Sequence, residues 1–228
     1  MTFTKIRRHF LAGIFLLLSG QLVLASSFPS MDDQASFEGE LRQAALLTNL
    51  PNIKGSNHYL GLKISEALTF TKSGLLAVPD IRVSIYPNSG YNFWLQFSTW
   101  PAETPVFSVG TGAQVVFFSQ DRRSEQAVGL SWSTIHGEMY SQRDINLHGI
   151  YSRVLETMEI GVVGILGMHH VLAERNSGVS SYDATLIHLT PYIKLMRNDS
   201  RHISITMPVS RDGIAFSAGF EWLLGMRE

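Results

Sequence analysis

RHISITMPVSRDGIAFSAGFEWLL, residues 201–224, alternates with a period of two on both sides of one short break. Ile203, Ile205, Met207 and Val209 fall on one face, and His202, Ser204, Thr206 and Pro208 on the other. After Ser-Arg-Asp-Gly, the residues Ile214, Phe216, Ala218, Phe220, Trp222 and Leu224 face one way, and Ala215, Ser217, Gly219 and Glu221 the other. Such a pattern fixes strands with two unlike faces. It does not say which face meets water.

The same period recurs from His58 onward and predicts ten strands, at 58–70, 75–86, 91–99, 106–118, 127–140, 145–155, 158–172, 184–196, 201–209 and 214–224. The segment 158–172 (MEIGVVGILGMHHVL) is apolar on both faces, so its period alone does not separate strand from short helix. All connections are short, which predicts antiparallel, up-and-down pairing. Turns at 87–90, 119–126, 156–157 and 197–200 fall at one end. Those at 71–74, 100–105, 141–144, 173–183 and 210–213 fall at the other.

Two N-terminal segments stand apart. Residues 1–25 read as a secretory signal: Lys5, Arg7 and Arg8, an apolar stretch from Phe10, and Val23 and Ala25 before a cleavage point at Ser26. The apolar stretch is shorter than the roughly 20 residues that a spanning helix needs. Cleavage takes away three of the 18 basic residues and none of the 19 acidic ones, leaving a net charge of −4. Residues 26–57 read as an arm with a short helix, capped by Asp32 or Asp33, with Phe37, Leu41, Ala44 and Leu47 along one stripe. A plug inside a barrel is one use for it. Residues 58–228 form the strand domain.

The polar face decides between a soluble β protein and a membrane barrel. A strand face in water carries many Lys, Glu, Arg and Thr. Here it is mainly Gly, Ser, Ala, Thr, Gln, Asn and Tyr, which suits the inside of a narrow barrel. Charged residues make up 16% of the chain, against roughly 25% in soluble domains. Lys63, Arg82, Lys194 and Glu221 take the polar parity, Arg153 and Glu159 lie where it is unclear, and Glu66 and Glu138 take the apolar one. Tyr86, Tyr91, Trp100, Trp132, Tyr140 and Trp222 mostly lie near strand ends, where membrane barrels place aromatic girdles. The expectation is an all-β, antiparallel, transmembrane barrel of about ten strands with its apolar face in lipid. The alternative is a soluble periplasmic barrel holding an apolar ligand.

The last strand carries a resemblance. Ser217-Ala218-Gly219-Phe220-Glu221-Trp222-Leu223-Leu224 resembles the terminal signal of bacterial outer-membrane β-barrels, with Ser217, Gly219, Trp222 and Leu224 at its defining positions. This chain continues through Gly225, Met226, Arg227 and Glu228 instead of stopping at an aromatic. The resemblance implies outer-membrane lipid and the barrel-assembly machinery as partners, and an outer-membrane location.

Chemistry is sparse. The chain has no cysteine, which excludes thiolate catalysis, thiolate metal sites and disulfides. Its near-zero net charge gives no field for nucleic acid. The adjacent His169 and His170 face opposite sides of a strand, so no metal or cofactor is expected there. Lys63, Arg82, His188, Tyr192, Lys194 and Glu221 are expected to form a polar network in the lumen, which argues for a plugged or very narrow pore. His202, Ser204 and Glu221 share that face and supply a base, a nucleophile and an acid. This group resembles outer-membrane lipid A deacylases, which carry a His-x-Ser on a late strand with an acid nearby. Ile205 stands where that family has asparagine. The leading expectation is therefore a non-enzymatic membrane protein, either structural or a narrow channel.

Overall fold

The computed structural model describes residues 29–48, 58–71, 74–88, 90–100, 106–119, 123–198 and 200–226. The expected signal segment 1–25 lies outside them. Among the described residues one helix, α1 (Gln34–Thr48), precedes eleven strands. These are β1 (His58–Thr71), β2 (Gly74–Asn88), β3 (Tyr91–Trp100), β4 (Val106–Phe118), β5 (Ser124–His136), β6 (Tyr140–Val154), β7 (Met158–Ala173), β8 (Tyr182–Asn198), β9 (Arg201–Thr206), β10 (Val209–Ser210) and β11 (Gly213–Met226).

Each strand from β1 to β8 pairs antiparallel with the next, and β11 pairs back with β1 from His58↔Met226 to Thr69↔Ala215, closing the sheet. Strands β9 and β10 share one place in the wall, both lying between β8 and β11. The break falls at Met207-Pro208, because Pro208 has no N–H to give the ladder. Hydrogen bonds from Met207 N to the Pro191 carbonyl (3.0 Å) and from Ala215 N to the Pro208 carbonyl (2.9 Å) carry the wall across it. The fold is a closed ten-position antiparallel barrel.

The apolar face is outside. Ile205 and Phe216 are 48% and 50% exposed, while His202, Ser204, Ser217 and Glu221 on the other parity are buried. A soluble barrel around an apolar ligand needs the reverse arrangement. On β6, Arg143 and Arg153 both face outward, with Ile145, Leu147, Gly149 and Tyr151 between them on the same face. Ten residues at the strand rise and a tilt near 40° span about 25 Å, the height of an outer-membrane apolar band. In register with Arg143 lie His170 and then Asp183, a polar outward row at the end that carries the β5–β6 and β7–β8 turns.

Two expectations need correction. The turn placed at 141–144 lies at 137–139, and β6 begins at Tyr140. Arg143 and Asp144 resembled turn residues, but Asp144 is satisfied inside the barrel and Arg143 faces out at the rim. Glu138 thereby leaves the strand. Tyr86, Trp100 and Tyr140, expected in a girdle, point inward and are buried. Tyr59, Tyr91, Phe117 and Tyr151 instead lie outward near the end where β1 begins. Segment 158–172 is strand. Its inward Val163 and Ile165 join Val116, Ala127, Ile150 and Tyr192 in an apolar patch of the inner wall, which explains its two apolar faces. The uncertain parities also resolve, with Arg153 outward and Glu159 inward.

Candidate functional site: the filled lumen

Asp33 caps α1, its carboxylate accepting from Ser36 N (2.8 Å) and Ser36 Oγ (2.7 Å). Phe37, Leu41 and Ala44 fall on one stripe and are wholly buried, and the side chain of Leu47 lies outside the described set. Their surroundings are inward residues of eight strands: Ala67, Val78, Trp100, Val106, Ile135, Tyr140, Val171 and Ala215. A helix that touches so much of the circumference lies inside the barrel. These wall residues sit near the end bearing the β1–β2, β3–β4, β5–β6, β7–β8 and β10–β11 turns, so α1 fills that mouth. Phe37 meets Tyr140 and Tyr182 edge-on, at 5.7 and 6.2 Å between ring centres.

Among the described residues, polar contacts fix the helix at Ser180, at Tyr182, whose hydroxyl donates to the Glu38 carbonyl (3.4 Å), and at Asp212. Gln34 Nε2 donates to the Ser180 carbonyl (3.1 Å), and Ser180 N donates back to Gln34 Oε1 (2.7 Å). Gln43 Nε2 donates to the Asp212 carbonyl (2.9 Å), and the Arg42 guanidinium lies 3.6 Å from the Asp212 carboxylate. Ser30 N donates to Glu40 Oε2 (2.7 Å), satisfying a carboxylate that is itself buried.

Below the helix the wall fills its own interior. The register runs sideways through His202, Glu221, Lys63, Arg82, Gln96, Gly110, Ser133, Asp144 and His169, each opposite the next. Register lines cross the tilted strands, so this belt climbs from one end of the barrel toward the other. Along it, Arg82 Nη2 donates to Gln96 Oε1 (2.6 Å). Ser133 Oγ and Gln142 Nε2 donate to Asp144 (3.1 and 2.8 Å), whose carboxylate also holds His169 Nδ1 at 2.5 Å. Asp80 accepts from Ser65 Oγ and Ser98 Oγ, both at 3.0 Å.

Glycines on the inner wall make room for these side chains. A Cβ at Gly112 would overlap the Trp94 indole, one at Gly161 the Tyr192 ring, and one at Gly129 the His148 imidazole. Each large side chain thus lies flat over a neighbouring strand's backbone.

All six residues of the expected lumen network face inward and are buried. They do not form one cluster. Lys194 Nζ lies 2.6 Å from Glu221 Oε2, and Lys63 stands between Glu221 and Arg82 in register. The Tyr192 hydroxyl instead donates to Glu159 (2.8 Å), and neither ring nitrogen of His188 has a hydrogen-bond partner. Of the possible catalytic group, His202 Nδ1 is 3.5 Å from Glu221 Oε2, while Ser204 Oγ has no hydrogen-bond partner. Acid and base meet, but the serine is not joined to them. Among the assembly-signal residues, Ser217 and Gly219 face inward, Leu224 faces out, and Trp222 stacks on Phe220 on the outer face. Among the described residues no three His, Asp or Glu side chains converge as a metal ion requires.

The residues that sequence reasoning missed are Asp80, Gln96, Ser133, Asp144 and the acceptor Glu159. Their inward parity was available in principle, but misplacing the β5–β6 turn hid Asp144.

The chain resembles bacterial outer-membrane β-barrels as a class. No protein-family model matches the sequence, and no curated protein does. Among solved structures it is similar to the KdgM porin, at 8% identity and a TM-score of 0.42, covering 71% of this chain and 98% of that one. The translocator domain of the autotransporter NalP from Neisseria meningitidis aligns at 8% identity and a TM-score of 0.38, covering 82% and 95%. A bacterial polysaccharide outer membrane secretin aligns at 7% and 0.31, covering 76% and 100%.

Proposed function

We propose that this chain is an outer-membrane barrel held closed by its own N-terminal helix, a narrow channel that conducts only when α1 leaves the mouth. The observation carrying this reading is the seat of Phe37, Leu41 and Ala44, wholly buried against the inner wall of eight strands. Burying a Phe and a Leu side chain stabilises such a seat by about 1.5–3 kcal/mol each. The contacts to Ser180, Tyr182 and Asp212 are made by side chains and take no part in the ladder of the wall, so the helix is a removable part. The lipid-facing band of about 25 Å supports a place in the outer membrane. The last strand, with Phe220, Trp222 and Leu224 on its outer face, is the segment offered to the assembly machinery.

The test is conductance in planar bilayers, with heat-modifiable gel migration confirming a closed barrel. The unaltered chain is expected to be silent apart from rare openings. Phe37→Gly with Leu41→Gly, in the full chain, is expected to give steady small-conductance currents. Steady current through the unaltered chain, or silence of both, would refute the closed-channel reading.

A further inference from the structure

The lumen carries an uneven charge. Five carboxylates of the described strands are buried and directed inward, namely Asp80, Glu125, Asp144, Glu159 and Glu221. Three basic side chains share the interior: Lys63, Arg82 and Lys194. The two signs are partly separated: Asp80 and Glu221 lie among the basic side chains, while Glu125, Asp144 and Glu159 stand on β5, β6 and β7. All three basic side chains stand on β1, β2 and β8, and the described residues of β3–β7 direct no Lys or Arg inward. Arg143 and Arg153 on β6 face outward.

Neutralisation is local. Lys194 stands opposite Glu159 in register, yet its ammonium lies 2.6 Å from Glu221 Oε2. Lys63 stands directly across from Glu221, and Arg82 donates to Gln96. Glu159, wholly buried, is left with one oxygen on the Tyr192 hydroxyl and the other, Oε2, without a hydrogen-bond partner. Glu125 lies on the same stretch of wall, near the start of β5 as Glu159 is near the start of β7. A narrow passage with low-dielectric walls and net negative lining focuses a field that concentrates counter-ions. Five inward carboxylates against three inward basic side chains, with Glu125, Asp144 and Glu159 on strands that direct no Lys or Arg inward, leave a cation the better path.

We propose that the lumen, once α1 has left it, passes cations in preference to anions, with Glu159 and Glu125 setting the preference. This rests on the closed-channel reading. The test is the reversal potential across a KCl gradient, measured on the full chain carrying Phe37→Gly and Leu41→Gly, substitutions that add no charge. Voltage-driven openings of the unaltered chain give a second measurement that needs no substitution. A wall potential of about one kT acts with opposite sign on the two ions, so the potassium-to-chloride permeability ratio is expected to be about 7. Adding Glu125→Gln and Glu159→Gln is expected to bring it close to unity. Current with no cation preference, or a preference that survives both glutamine substitutions, overturns the assignment while leaving the channel intact. Silence of both chains overturns the channel and this preference together.

Discussion

The two halves of the lumen are occupied by different means, one closed by a helix and the other narrowed by wall side chains. In the half holding α1, the wall offers Ala67, Val78, Val106, Ile135, Val171 and Ala215, mostly short, with Trp100 and Tyr140 beside them. Such side chains leave an axial space wide enough for a helix and give it an apolar seat. In the other half the wall offers Lys63, Arg82, Tyr86, Glu159, Tyr192, Lys194 and Glu221, long enough to narrow the passage and to meet neighbours along the wall. There Tyr86 OH donates to Glu221 Oε1 at 3.3 Å, and Lys194 holds the other oxygen of that carboxylate. The lesson is that a barrel of ten positions can be filled either by its own walls or by a separate segment, and that side-chain length chooses. Only the second kind of filling can be withdrawn without dismantling the wall.

The largest expected effect lies in the wall-filled half. Glu221→Leu removes the partner of Lys194 and leaves buried cations uncompensated, a loss of about 3–5 kcal/mol. It should lower the temperature at which the folded band disappears on gels. An unchanged transition temperature would mean that this half is too wet for the pair to matter.

A smaller effect is expected at the helix seat. Leu41→Ala removes a wholly buried side chain from α1, and its cost of about 2–3 kcal/mol falls on docking rather than on the wall. That corresponds to roughly a 30- to 150-fold rise in the undocked fraction, measurable as open probability or as protease access to α1. The gel transition of the barrel should hardly move. If both readouts shift together, the two halves form one cooperative unit and the contrast fails.

The smallest effect is expected at Ser204. Its hydroxyl makes no hydrogen bond, so Ser204→Ala should change stability by less than about 0.5 kcal/mol and leave the lipid A profile of expressing cells unaltered. A lipid A change that the unaltered chain produces and Ser204→Ala abolishes would restore the hydrolytic reading.

Much of this architecture was legible in the chain. The period of two set the strands, and the scarcity of charge on the polar parity set that parity inward, because few unpaired charges fit a narrow interior. Even the helix stripe of Phe37, Leu41 and Ala44 could be read, since its spacing is local. The inner partners could not. His169 meets Asp144 across 25 residues and Lys194 meets Glu221 across 27, and those meetings depend on register, which a one-residue slip reverses. The turn at 137–139 shows the limit. Arg143 and Asp144 look like solvent residues until the barrel gives one a rim and the other three donors.

By itself, then, the sequence determined strand periodicity, the side that meets lipid and the presence of an amphipathic N-terminal helix, because each is a property of neighbouring residues. Tertiary structure alone decided that the helix lies within the barrel mouth, that Pro208 splits one strand position in two, and that Lys194 meets Glu221 while Glu159 meets Tyr192. Those outcomes arise from closure of the sheet, which brings β11 against β1 and gives eight strands one shared interior.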